Sequence, residues 1–156
     1  MKNSGFRVVL YEPEIPQNTG NIARLCACTG SDLYLVGKLG FSLDEKHIKR
    51  AGLDYWDSVN IKQVQSLEEL FKEFPNENKY FLTTKAKQSH FQADFKPGSL
   101  LIFGPETRGL PIEVINANIK NAFRIPMIAE KRSLNLSNSV AIVLYEAIRQ
   151  SGNIEY

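Results

Sequence analysis

The residues best placed to do chemistry sit in two polar, irregular loops in the last third of the chain. In Leu101-Ile102-Phe103-Gly104-Pro105-Glu106-Thr107-Arg108-Gly109-Leu110 an apolar run stops at Gly-Pro, and a carboxylate and a guanidinium follow at once. Between Arg124-Ile125-Pro126-Met127 and Arg132-Ser133-Leu134-Asn135-Leu136-Ser137-Asn138-Ser139, a second run stops at Pro126. Ser and Asn then alternate with Leu until a very apolar helix begins. Polar groups at the carboxyl ends of strands in an open α/β sheet are where ligands sit, so two such loops suggest a pocket. A third polar stretch, Glu12-Pro13-Glu14-Ile15-Pro16-Gln17-Asn18-Thr19-Gly20-Asn21-Ile22-Ala23-Arg24, joins the first strand to the first helix. Its two prolines stiffen it, and Asn18 or Thr19 can cap the helix. Arg24 lies about a turn and a half into that helix. A solvated helix residue is its plain reading.

The elements that must hold these loops alternate in kind. The sequence predicts strands at 6–11, 33–36, 59–61, 80–83, 100–103 and 122–125, and helices at 19–28, 44–51, 67–74, 112–117 and 137–150. Short apolar strands interleaved with amphipathic helices argue for an α/β fold, a parallel sheet with helices on both faces. No repeat or linker marks a second domain, so 1–156 reads as one domain. The last helix carries Val140, Ala141, Ile142, Val143, Leu144, Ala147 and Ile148 with almost no polar side. A helix apolar all round must be buried all round, which predicts one face on the sheet and the other on a second subunit; cover by the chain's own loops is the alternative.

Composition narrows the class. At 156 residues the chain can bury a real core, and 43% hydrophobic content is ordinary for a globular protein. No apolar run approaches the roughly 20 residues of a membrane span, and the N-terminus lacks a signal-peptide apolar region. A cytoplasmic protein is expected. A net charge of +2 means that any nucleic acid must be held by a local patch. Cys26 and Cys28, two apart on one helix, suit neither a disulfide nor a shared metal and read as buried structural thiols. His47 and His90 have no Cys or His at ligand spacing, so no metal is expected. Neither G-x-G-x-x-G after the first strand nor G-x-x-x-x-G-K-[ST] occurs, which disfavours an ordinary dinucleotide site or a P-loop.

Taken together, Asn18–Arg24, the Phe103–Leu110 loop and the Arg124–Ser139 loop-to-helix resemble, in order and spacing, the three motifs of the SPOUT superfamily of RNA methyltransferases, in its SpoU (TrmH-like) branch. The resemblance runs from Phe6 to about Gly152. Leu10-Tyr11-Glu12-Pro13-Glu14-Ile15-Pro16, Arg50-Ala51-Gly52-Leu53-Asp54-Tyr55 and Leu82-Thr83-Thr84-Lys85 narrow it to the minimal single-domain enzymes that methylate the tRNA wobble ribose, at position 34. For the fold, the resemblance implies a C-terminal deep trefoil knot, an exception to the usual absence of knots. It also implies a homodimer, the anticodon stem-loop of tRNA as partner, and S-adenosyl-L-methionine as cofactor, leaving S-adenosyl-L-homocysteine as product. Carried over by position, cofactor contacts fall on Leu82, Thr83, Gly104, Glu106, Ile125, Met127, Ser133 and Leu134.

The resemblance implies that Arg24 acts on the 2′-hydroxyl. An arginine with a pKa above about 12 rarely gives up its proton. Gripping the adjacent phosphate and stabilising developing alkoxide charge is the more economical role. Glu106 is expected either to accept from RNA or orient Arg24, or to cap its own loop. Asn135 is expected in the pocket or, with Ser137 and Asn138, as a helix cap. Tyr145 is expected at the interface, on RNA, or in the core. Lys46, Lys49 and Arg50 beside Tyr55 and Trp56 pair cations for phosphates with aromatics for unpaired bases, the arrangement an anticodon loop needs. Two other readings stand beside this one: an enzyme on ribosomal RNA or a small molecule, and a catalytically silent RNA-binding module.

Overall fold

Residues of the central strands are apolar on both faces, which is why they form a buried parallel sheet. The computed structural model describes residues 4–44, 56–128, 133–152 and 154. Among them the strands are β1 (Arg7–Tyr11), β2 (Asp32–Val36), β3 (Ile61–Val64), β4 (Lys79–Leu82), β5 (Gln88–Ser89), β6 (Leu100–Phe103) and β7 (Ala122–Arg124). All pair in parallel, in the order β3-β2-β1-β6-β4-β7-β5. The helices are α1 (Pro16–Thr29), α2 (Leu67–Glu73), α3 (Ile112–Ala117) and α4 (Leu136–Ser151).

Alternation along each strand assigns the helices to layers. Val8, Leu10, Leu33, Leu35, Leu101 and Phe103 point to one face, where Ile22, Ala23 and Cys26 of α1 and Val140, Val143, Leu144 and Ala147 of α4 cover them. Val9, Tyr34, Val36, Leu100 and Ile102 point to the other, under Leu67, Leu70 and Phe74 near α2 and Ile115 of α3. The result is the three-layer α/β sandwich that the alternation of elements predicts.

Several boundaries differ from expectation for identifiable reasons. The first helix begins at Pro16, not Thr19. Proline suits the first helical position because its missing N–H is not needed there. Asn18 and Thr19 therefore lie inside α1, both buried, and neither caps it. The strand expected at 59–61 is β3, shifted to Ile61–Val64, with 56–58 in a 3-10 turn. This edge strand is half polar, so its apolar signal is weak. The two-residue, polar β5 at the opposite edge has no apolar signal at all. The helix expected at 44–51 falls outside the described residues beyond Asp44, which sits in a turn. Cys26 is buried as expected, but Cys28 is exposed: two helical positions turn it to the far side of α1. Among the described residues, no helix is long and apolar enough to cross a membrane, and no group of side chains could hold a metal.

Candidate active site

The carboxyl ends of β4, β6 and β7 open onto a cavity of about 310 Å³, at the small end of the range for ligand pockets. Its walls come from the residues after each strand: Thr83, Thr84 and Lys85, then 104–109, then Ile125 and Met127, closed by Ser133, Leu134, Leu136 and Ser139. Leu82, Phe103, Ile125, Leu134 and Leu136 supply apolar surface, and Thr83, Ser133 and Ser139 supply hydroxyls. All eight residues expected to touch a cofactor line this one cavity.

Gly104 is required for a reason the sequence did not reveal. A Cβ there would stand 2.2 Å from the Leu110 amide nitrogen and 2.3 Å from the Gly109 carbonyl carbon. The 104–110 loop folds back on itself so tightly that its own backbone, not a ligand, excludes a side chain.

That loop is also bonded to the one after β1. Glu106 accepts from the amides of Glu14 at 2.9 Å and Ile15 at 2.5 Å. In return the Glu14 carboxylate accepts from the Thr107 amide at 2.9 Å and its hydroxyl at 2.7 Å. These two bonds, the amide's first, hold the Glu14 carboxyl below its ordinary range. Glu12, whose φ of 45° is unusual for a residue with a side chain, meets the Arg108 guanidinium at 3.3 Å. Glu106 thus neither caps its own loop nor touches Arg24 through these bonds. It stands at the N-terminus of α1, where a negative charge is favourable and where the N-cap residue, Ile15, offers no side-chain acceptor.

The third loop is tied in as well. Asn135 is the N-cap of α4, accepting from the amides of Ser137 at 2.9 Å and Asn138 at 3.4 Å. Its amide nitrogen donates to Asn18 on α1 at 3.1 Å. The capping expectation for Asn135 holds, whereas Ser137 and Asn138 are the residues capped.

Arg24, Asn135 and Tyr145 do not line the cavity. Arg24 is exposed on α1, on the stripe it shares with Gln17, Asn21 and Cys28. Tyr145 is 50% exposed on α4. The basic cluster Lys46, Lys49 and Arg50, with Tyr55, lies outside the described residues. Trp56 is half-buried and packs against the core beside α1, so its ring is only partly available for stacking. Glu12, Glu14, Thr107 and Arg108 lie within the polar loops that the sequence picks out, but their cross-loop bonds were not expected.

The comparison with known proteins fits this geometry. The SpoU rRNA Methylase family model matches residues 5–145. The chain belongs to the SpoU rRNA methylase family. A tRNA (cytidine(34)-2′-O)-methyltransferase of Methylovorus glucosotrophus is 49% identical over 146 residues, 93% of this chain and 95% of its own. The enzyme of the same name from Photorhabdus asymbiotica is 49% identical over 153 residues, 94% of each chain. A solved structure giving insight into the 2-OH methylation of C/U34 on tRNA is 41% identical, with a TM-score of 0.90 and coverage of 96% of this chain and 97% of that one. Family membership and the parallel α/β fold, both expected from the three SpoU motifs, are therefore established.

Proposed function

We propose that this SpoU-family protein methylates the ribose 2′-hydroxyl of nucleotide 34 in tRNA, with S-adenosyl-L-methionine as methyl donor. The observation that carries the reading is near half-identity, over almost the whole of both chains, to relatives named for that reaction.

The residues present fit the cofactor. Apolar side chains at Leu82, Phe103, Ile125 and Leu134 can enclose a flat purine, while the hydroxyls of Thr83 and Ser133 and loop backbone near Gly104 and Met127 can bond its edge and ribose. When bound, the cofactor supplies a methyl group on a sulfonium, an excellent leaving group. The protein's main task is then to align the ribose oxygen, and positioning two substrates in line can supply roughly 7–11 kcal/mol. A ribose hydroxyl must also lose its proton as it attacks. Arg24, exposed on α1, grips the neighbouring phosphate and stabilises the alkoxide charge as it develops. Glu106 holds the start of α1, and Asn135 fixes α4 against it.

The reading extends to assembly. Two copies pair through the exposed face of α4, where Ile142 is 39% and Tyr145 50% exposed, and the anticodon stem-loop lies against Lys46, Lys49, Arg50, Tyr55 and Trp56. The C-terminal segment is threaded as a trefoil knot, and the enzyme works in the cytoplasm on tRNA. Isothermal titration with S-adenosyl-L-methionine, followed by methyl transfer to purified tRNA or ribosomal RNA, tests the proposal. Binding with transfer to tRNA is expected. Transfer only to ribosomal RNA would replace the substrate, and absence of binding would leave an RNA-binding module.

A further inference from the structure

Two loops that follow neighbouring strands are joined here by a reciprocal exchange of carboxylates. β1 and β6 lie side by side, with Leu10 opposite Phe103, so residues 12–15 and 104–109 leave the sheet together. Each loop sends a carboxylate to the other's backbone. Glu106 takes the amides of Glu14 and Ile15, and Glu14 takes the amide and hydroxyl of Thr107. The two loops have different duties. Every residue from Phe103 to Gly109 lines the cavity, whereas Ile15 is the N-cap of α1, the helix that presents Arg24. Glu14 itself is not among the residues that line the cavity.

We propose that Glu14 is a positioning residue for methyl transfer, a latch through which the loop that walls the cofactor cavity sets the placement of α1 and hence of Arg24. This rests on the function proposed above. A cofactor in the cavity would favour the placement of residues 104–109 seen here; the bonds of Glu14 and Glu106 pass that placement to the residues that lead into α1; and the rigid helix passes it on to Arg24. Because such coupling is reciprocal, RNA held by Arg24 must in turn favour the ordered cavity loop. One oxygen of Glu14 accepts both the amide and the hydroxyl of Thr107, which a carboxamide oxygen with its two lone pairs can also do and a methyl cannot.

The test compares Glu14→Ala and Glu14→Gln with the wild-type protein. It measures kcat at saturating S-adenosyl-L-methionine and bulk tRNA, and tRNA affinity with and without S-adenosyl-L-homocysteine. Misplacing reacting groups by a fraction of an ångström to an ångström lowers rates by about ten- to a hundredfold, and that fall in kcat is expected for Glu14→Ala. In wild type the product cofactor should tighten tRNA binding, and in Glu14→Ala that effect should vanish while the unfolding temperature stays close to wild type. Glu14→Gln, whose side-chain oxygen still accepts from the Thr107 amide, should recover most of both. Wild-type kcat and coupling in Glu14→Ala, no coupling in the wild type, or a loss in Glu14→Ala matched by unfolding and absent in Glu14→Gln would each overturn the latch. Failure of the wild type to methylate tRNA at all is a separate result, which overturns the proposed function.

Discussion

At the scale of single residues, Arg24 is the sharpest point of the proposed mechanism. It sits on the exposed stripe of α1 and outside the lining of the cavity, a placement suited to RNA and not to cofactor. Arg24→Ala should therefore lower methyl transfer by about a hundred- to a thousandfold, the loss of one charged contact made in the transition state. Affinity for S-adenosyl-L-methionine, read by calorimetry, should stay within a few-fold of wild type. Near-normal turnover on tRNA would return Arg24 to a solvated helix residue. The cavity residues were legible through the family resemblance, which carries cofactor contacts onto the segments around the ends of β4, β6 and β7 and just before α4. The bond between Glu14 and Thr107 was not. It joins positions 93 apart, and only the adjacency of β1 and β6 brings them together. Gly104 was legible as a cavity residue, but what excludes a side chain there is the backbone of its own loop.

At the scale of elements, the two helices that frame the site are started by different means. α4 has its own cap: Asn135 accepts from the amides of Ser137 and Asn138. Asn135→Ala should cost about 1 kcal/mol, the usual loss for an N-cap, with a further loss from the unpaired Asn18 side chain. Urea denaturation reads this directly, and an unchanged midpoint would remove Asn135 as a cap. The Asn before an apolar run made this cap readable from sequence. α1 begins at Pro16 with no side-chain cap, and Glu106 instead holds the amide of its N-cap residue, Ile15, just before the helix. Local sequence could not show that, and so Asn18 and Thr19, ordinary capping types, were the wrong candidates. Val140 and Val143, which an all-apolar helix offers equally as interface residues, are fully buried in the chain's own core. Ile142 lies on the exposed side. In sedimentation, Ile142→Glu is expected to convert a wild-type dimer to a folded monomer, whereas Val143→Asp should unfold the chain by burying an unpaired charge. A monomeric wild type at micromolar concentration would rule out the dimer.

At the scale of the whole molecule, stability should follow pH through groups that pin the 88–95 segment to the end of α4. Glu146 is held at about 2, chiefly by its side-chain bonds to Arg149, at 2.9 Å, and also to Gln150. Gln150 in turn bonds the Ala93 carbonyl and the Phe95 amide. Because the folded carboxyl ionises below its ordinary 4.5, its contribution is present above about pH 4.5 and lost as pH falls toward 2. Glu146→Gln should flatten that part of a denaturation-versus-pH curve, and an unaltered slope would remove the assignment. His90, fully buried, acts in the same sense: burial lowers its pKa from 6.5. With its folded pKa below its ordinary value, the stability it contributes begins to fall as pH drops through about 6.5. The sandwich itself was legible, since apolar strands alternating with amphipathic helices leave few other folds. The polar edge strands β3 and β5 were misplaced or missed because one side of each has little to bury.

The most direct test of the central claim is nucleoside mass spectrometry of unmodified tRNA after reaction with the purified protein and S-adenosyl-L-methionine, with nuclease mapping of the product. The account predicts a single 2′-O-methylated nucleotide, at position 34, absent from reactions with Arg24→Ala. Methylation at another position, on a base, or not at all would contradict it.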